Sequence, residues 1–169
     1  MNNIGETVRA YIGLGSNLEN PISQVRKAFL ELEGLPQSRL VAQSSLYVSD
    51  PLGPGDQSDY INAVAALDTQ LAPLALLHAL QNIEMQHGRM RTGERWGPRS
   101  LDLDLLLYGE LELSNETLTV PHPGISQRNF VLYPLLEIAP DLNVSTLGAV
   151  KMLVDNSSDK GLRRLGCER

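Results

Sequence analysis

The segment Ser100-Leu101-Asp102-Leu103-Asp104-Leu105-Leu106-Leu107-Tyr108 alternates leucine with aspartate through its first half. A period of two is the mark of a β-strand with one face buried, because successive side chains point to opposite sides. Leu101, Leu103, Leu105 and Leu107 are therefore expected on one face, and Asp102 and Asp104 on the other. Two residues of rise, about 3.3 Å each, make the carboxylates neighbours.

Working outward, a helix precedes this strand. Pro73 opens it, Leu74, Leu77, Leu80 and Ile83 mark its buried stripe, and Gly88 ends it. Before it, Leu40 to Val48 and Tyr60 to Leu67 read as two strands joined by a long loop, Ser49 to Asp59. At the start of the chain, Val8 to Gly15 is rich in β-formers and reads as a strand. Gly13-Leu14-Gly15-Ser16-Asn17 lacks the third glycine of a dinucleotide fingerprint and reads as a tight strand-to-helix turn. Asn20-Pro21 supplies an N-cap with proline at the first helical position. Ile22, Val25, Phe29 and Leu32 follow at helical spacing, and Gly34 offers a left-handed stop.

The order β-α-β-β-α-β is the split unit of a ferredoxin-like α+β sandwich, a mainly antiparallel sheet with helices packed on it. Beyond Gly109 the sequence gives a short hairpin, the turn Val120-Pro121-His122-Pro123, and C-terminal helical pieces over Phe130 to Ile138 and Leu147 to Val154. The last dozen residues carry no core pattern and are expected to be mobile.

The chain has 169 residues, 42% of them hydrophobic and 20% charged. That fits one domain over 1–169 with its own core and excludes disordered, collagen-like and coiled-coil classes. Fourteen Lys and Arg against twenty Asp and Glu leave a net charge of −6, which argues against nucleic-acid backbone binding. A lone cysteine, Cys167, points to a reducing compartment. Met1 to Arg9 shows no secretory pattern, and no stretch approaches the roughly 18 apolar residues that span a bilayer. A cytoplasmic protein without membrane or nucleic-acid partners is expected, with a monomer as the default.

Two neighbouring anions on a strand either form a solvated charged face or ask for a cation. Hard carboxylate oxygens suit Mg²⁺, which keeps waters and accepts substrate phosphates as further ligands. The loop before the strand bears on that choice. Arg89 to Arg99 holds four arginines and one glutamate, a local charge of +3 that leaves −9 for the rest. Trp96, the sole tryptophan, sits among those arginines rather than in an apolar stripe. Guanidinium forks suit phosphate oxygens and stack on flat rings. A carboxylate pair directly after such a loop spells a polyphosphate site with cations on both sides of the phosphates. Two other classes compete with this reading. A single-stranded RNA module would show aromatic pairs on its central strands and usually a basic balance, whereas here the exposed strand face offers acids and the net charge is negative. A nucleotidyl transferase with paired aspartates would keep the metals and release pyrophosphate.

From about Val8 to Leu142 the chain resembles the 6-hydroxymethyl-7,8-dihydropterin pyrophosphokinase family. The likeness rests on Gly15-Ser16-Asn17-Leu18, Pro51-Leu52-Gly53-Pro54, Asp59-Tyr60-Ile61-Asn62-Ala63, and Glu84 with Arg89. It continues in Arg95-Trp96-Gly97-Pro98-Arg99-Ser100-Leu101-Asp102-Leu103-Asp104. It closes with Val120-Pro121-His122-Pro123, Arg128, Phe130 and Glu137-Ile138-Ala139-Pro140.

The resemblance implies transfer of the β,γ-diphosphate of ATP to the hydroxymethyl group of a reduced pterin, with AMP released. By similarity Asp102 and Asp104 would hold two Mg²⁺ ions on the triphosphate, and Arg89 and Arg99 would grip phosphates during reaction. Arg91, Arg95 and Trp96 would belong to a loop closing over both substrates. Gln81, Glu84, Arg99, Leu105, Thr119, His122 and Arg128 would line the ATP site. Tyr60, Asn62, Trp96 and Phe130 would hold the pterin ring, with backbone help from Ser49, Leu52 and Gly53. Gly124 and Thr117 depart from the family pattern, since many members carry a basic residue at the former position and some near the latter.

Overall fold

Strand β1 (Val8–Ser16) is buried along nearly its whole length and lies at the centre of the fold. The computed structural model describes residues 6–18, 20–50, 59–88 and 100–165. After β1 come α1 (Pro21–Glu33), β2 (Ser38–Gln43), β3 (Tyr47–Ser49), β4 (Tyr60–Thr69), α2 (Pro73–Gln86) and β5 (Asp102–Tyr108). The C-terminal part adds the hairpin β6 (Leu113–Ser114) and β7 (Thr119–Val120), then α3 (Asn129–Ile138). It ends with the hairpin β8 (Asn143–Val144) and β9 (Gly148–Ala149), α4 (Val150–Asp155) and β10 (Leu162–Arg164).

The main sheet runs β10-β3-β4-β1-β5, with β2 also paired to β4, and every pairing is antiparallel. Two βαβ units thus interleave, each leaving room for a strand of the other, which is the ferredoxin-like arrangement. The sequence-predicted strand over 40–48 is two pieces, β2 and β3, and both lie along β4.

Each sheet face has its own core. Ala10, Ile12 and Leu14 of β1 pack with Leu103 and Leu105 of β5 against Val25, Phe29 and Leu32 of α1 and Leu76, Leu80 and Ile83 of α2. On the opposite face Tyr11, Val64, Ala66, Leu106 and Leu107 meet Val131, Leu132 and Leu135 of α3 and Val150 of α4. The C-terminal helices make a third layer and cover what a two-layer sandwich leaves open.

Several sequence expectations shift here. Leu107 does not share a face with Leu101, Leu103 and Leu105: the β1–β5 register slips between Tyr11 and Ile12, and Leu106 is the extra residue. A bulge of this kind breaks the period-two pattern and turns Leu107 to the α3 side. The α2 stripe keeps Leu77, Leu80 and Ile83 and adds Leu76, while Leu74 is 46% exposed. Asn20 sits at the N-cap position of α1 in left-handed backbone without a side-chain cap bond. Gly34 has φ −86°, so the left-handed residue after α1 is Gln37, at φ 55°. Gly88 does terminate α2 in left-handed conformation, at φ 87°.

The tail is not a loose end through residue 165. β10 pairs with β3, Leu162 opposite Ser49, and the Leu165 amide donates to the Leu46 carbonyl at 2.8 Å. Glu137 of α3 locks this edge: it accepts from the Ser45 amide at 3.1 Å, Tyr47 OH at 2.8 Å and Arg164 at 3.0 Å.

Candidate functional site

One row of residues crosses four strands on the α3 side of the sheet. Tyr47 lies opposite Asn62, Asn62 opposite Gly15, and Gly15 opposite Asp102. In the next row Val64 lies opposite Gly13, and Gly13 opposite Asp104. Directly opposed residues of antiparallel strands share a face. The two glycines of β1 therefore add no side chain to this lane, although the Leu106 side chain leans over Gly13, and the two aspartates stand on one bank and Asn62 on the other. At two strand spacings the lane spans ~10 Å. Its depth is set by neighbours: a Cβ at Gly15 would stand 3.2 Å from Asn62 Oδ1, and one at Gly13 3.4 Å from Leu106.

The sequence does not announce this lane, because Gly13-Leu14-Gly15-Ser16-Asn17 reads there as the turn that closes the strand Val8 to Gly15. The strand in fact runs on through Ser16, so both glycines are in its interior. Glycines two apart in a strand share a face, and in a strand interior they often mark close approach of a ligand or another chain.

On the aspartate bank, Asp102 and Asp104 are half-buried, as β5 directs them away from the core that holds Leu103 and Leu105. Glu84 of α2, only 6% exposed, reaches the β5 edge and accepts the Leu103 amide at 2.7 Å. The bond pins the main chain between the two aspartates. Gln81, one turn earlier on α2, is exposed. Leu105 gives its side chain to the α1/α2 core.

His122 follows the cis Val120–Pro121 bond, and its amide donates to the Leu106 carbonyl at 2.9 Å, tying the turn to β5. Its Nδ1 accepts the Gly124 amide at 3.0 Å, which leaves Nε2 to carry the proton in the neutral ring. Burial pulls this imidazole below its ordinary pKa and the Arg128 charge adds to that, while the Asp104 charge opposes both. A neutral ring offering Nε2–H beside the carboxylates suits a phosphate oxygen. Gly124 also seats Arg128: a Cβ there would lie 2.8 Å from Arg128 Nε. The position where relatives carry a basic residue is thus overlaid by the Arg128 guanidinium, which lies 5.9 Å from the Phe130 ring centre. Thr119, half-buried in β7, stands just before this turn.

On the Asn62 bank, Asn62 is 4% exposed and its Nδ2 donates to Ser49 Oγ at 2.7 Å. Tyr60 pairs with Ser49 across β3 and β4. Phe130 and Ser49 line a common cavity. Ser49, Tyr60, Asn62 and Phe130 therefore gather on one side of the lane and Asp102 and Asp104 on the other, with His122 near Asp104 and Arg128 reaching toward Phe130. Leu52, Gly53, Arg89, Arg91, Arg95, Trp96 and Arg99 lie outside the described residues.

Among the described residues no three His, Cys, Asp or Glu side chains converge as a metal cage. Two carboxylates on one strand face suit Mg²⁺ that draws most of its octahedral ligands from phosphates and water. Among the same residues no helix is long and apolar enough to cross a membrane.

The sequence profile of 7,8-dihydro-6-hydroxymethylpterin-pyrophosphokinase (HPPK) matches residues 11–140. The chain belongs to the HPPK family. It is 52% identical over 157 residues to the 2-amino-4-hydroxy-6-hydroxymethyldihydropteridine pyrophosphokinase of Pseudomonas aeruginosa, across 93% of this chain and 96% of that protein. It is 48% identical over 158 residues to the protein of the same name from Haemophilus influenzae, across 94% of this chain and 98% of the relative. Among solved structures it is similar to Plasmodium falciparum wild-type HPPK-DHPS with pteroate, at TM-score 0.72 and 13% identity. That match covers 92% of this chain but 43% of the other, so the chain spans less than half of the parasite protein. The same protein with pterin and p-hydroxybenzoate matches at TM-score 0.73 and 14% identity. At such identity the likeness speaks for the HPPK fold alone.

Proposed function

We infer that this HPPK chain transfers a diphosphate from ATP to the hydroxymethyl group of 6-hydroxymethyl-7,8-dihydropterin, releasing AMP, in folate biosynthesis. The observation that carries the reading is the glycine lane, with carboxylates along one bank and an amide beside an aromatic group on the other. It offers a place for a metal–triphosphate and a place for a flat amide-bearing ring, with Gly15 between the two.

In the reaction the pterin hydroxyl oxygen bonds to the β-phosphorus while the bond from that phosphorus to the α-phosphate oxygen breaks. AMP departs with the electron pair, and the hydroxyl proton leaves to water. Asp102 and Asp104 would hold Mg²⁺, in our reading two ions, which when bound would supply charge neutralisation at the phosphates. Glu84 fixes the strand that carries both carboxylates. His122 donates from Nε2 to a phosphate oxygen, and Arg128, Thr119, Gln81 and the Leu105 main chain border the nucleotide. Arg89 and Arg99 grip phosphates, and Arg91, Arg95 and Trp96 close over both substrates. Asn62 reads the pterin edge, and Tyr60, Trp96 and Phe130 supply faces for the ring, with Ser49, Leu52 and Gly53 contributing main-chain contacts. Holding both reactants in register converts an encounter into an intramolecular step.

The same reading makes the chain one domain over 1–169, a monomer, and a cytoplasmic enzyme without nucleic-acid or membrane partners. Separation of the nucleotide products tests the reaction. AMP should accumulate from Mg-ATP only when the hydroxymethylpterin is present; ADP, or pyrophosphate release, would contradict it.

A further inference from the structure

A cavity of about 360 Å³ opens between the end of β3 and the start of α3. Two of its lining residues, Ser49 and Phe130, belong to the proposed pterin site. The opposite wall is made by a part of the chain beyond the 11–140 match: Ser157, Ser158, Lys160 and Gly161, between α4 and β10.

This wall is bonded to both sides of the cavity. Asn129, the first residue of α3, donates from Nδ2 to the carbonyls of Ser158, at 2.8 Å, and Lys160, at 3.1 Å. The Gly161 carbonyl accepts the Asp50 amide at 3.2 Å, and Leu162 pairs with Ser49 in the sheet. Gly161 is at φ 74°, and a Cβ there would lie 2.7 Å from Asp50 Oδ2, so the strap is pressed closely on the end of β3. Within the wall the Lys160 amide donates to Ser158 Oγ at 3.0 Å. One short segment therefore sets the separation between Ser49 and Phe130, through Asn129 next to one and Gly161 over the neighbour of the other.

We propose that Ser157–Gly161 is a structural wall of the pterin pocket and that Asn129 is its positioning residue, governing pterin affinity without touching ATP. The proposal rests on the assignment of Ser49 and Phe130 to the pterin site. Asn129→Asp keeps size and shape but sets a carboxylate against two carbonyl oxygens, and Asn129→Ala removes the donors without adding charge.

The test is fluorescence titration of hydroxymethyl-dihydropterin into protein saturated with an unreactive Mg-ATP analogue, with KM values for both substrates and Phe130→Ala alongside. The expected result is a pterin Kd raised at least fivefold in both Asn129 variants and in Phe130→Ala. The KM for Mg-ATP should stay within twofold of the parent in the Asn129 variants. Wild-type pterin affinity in the Asn129 variants, with Phe130→Ala weakened, would overturn the wall while sparing the site. Equal losses for pterin and ATP together with a lowered melting temperature would make Asn129 merely structural and also overturn the proposal. Unchanged pterin binding in Phe130→Ala would remove the site assignment itself, and the wall with it.

Discussion

Gly15 of β1 lies directly opposite Asn62 of β4, so near that a methyl group at position 15 would stand 3.2 Å from Asn62 Oδ1. That separation is tighter than an ordinary van der Waals contact. The absence of a side chain therefore keeps Asn62 in place and the lane to Asp102 open.

Gly15→Ala should fold, because β1 is held by pairing on both sides and the added methyl needs a shift of only tenths of an ångström. Displacing Asn62 and narrowing the lane should lower kcat/KM for the pterin about tenfold, the scale of a sub-ångström misplacement of reactants. Steady-state kinetics with circular dichroism as the folding control checks this. Wild-type kcat/KM would show that the lane is not used.

Glu84→Ala strips the Leu103 amide of its acceptor at a buried edge. A loss of stability of about 1–3 kcal/mol is expected, the cost of an unsatisfied buried donor. Turnover should fall with it, because the main chain between the two aspartates loses its anchor. Glu84→Gln retains an acceptor oxygen and should recover most of the stability in denaturant titration. Equal losses in both variants would point to the carboxylate charge instead.

Asp68 is held below its usual carboxylate pKa, first by the hydrogen bond from Arg9 and then by that residue's charge. The contacts join β1 to β4 in a fork, Nε to Oδ1 and NH2 to Oδ2, the latter at 3.2 Å. A depressed folded pKa makes the stabilisation complete above the unfolded value, near 4, and lost as pH falls through the folded one. Since the pair is exposed, wild type should exceed Asp68→Asn by only about 0.2–1 kcal/mol at neutral pH. The gap should close on acidification. A pH-independent gap in urea unfolding would refute the assignment.

Asp102→Ala and Asp104→Ala should each cost turnover about a thousandfold, since removing even one preorganised charge-stabilising group costs 10²–10³. Both side chains are half-buried on the outer part of β5, so folding should survive. Quenched-flow or coupled assays measure the loss, and near-normal rates in either variant would remove that residue from the site.

Much of this architecture was legible in the chain. The alternation of Leu101 to Leu105 gave the β5 faces, and proline and glycine marked both ends of α2. Leu107 was misassigned because a bulge is imposed by pairing with β1, which no local pattern in β5 announces. In the α2 stripe Leu74 stood in for Leu76, because leucine occupies Leu74, Leu76 and Leu77 alike, and only packing against the sheet chooses among them. β10 escaped notice because three residues at an edge owe their strand geometry to β3 and to Glu137. In the site, the acidic pair was visible by spacing. Glu84 as a main-chain anchor and Ser157–Gly161 as a wall depend on contacts across 19 residues and more, beyond the reach of periodicity.

The central claim, that Asp102 and Asp104 hold the divalent ions of the nucleotide, is met most directly by electron paramagnetic resonance. Mn²⁺ is titrated into the protein with an unreactive ATP analogue, and free ion is read from its signal. Wild type should bind two ions per chain, and Asp102→Asn and Asp104→Asn should each lose tight binding of at least one. Equal Mn²⁺ uptake by wild type and both variants would contradict the account.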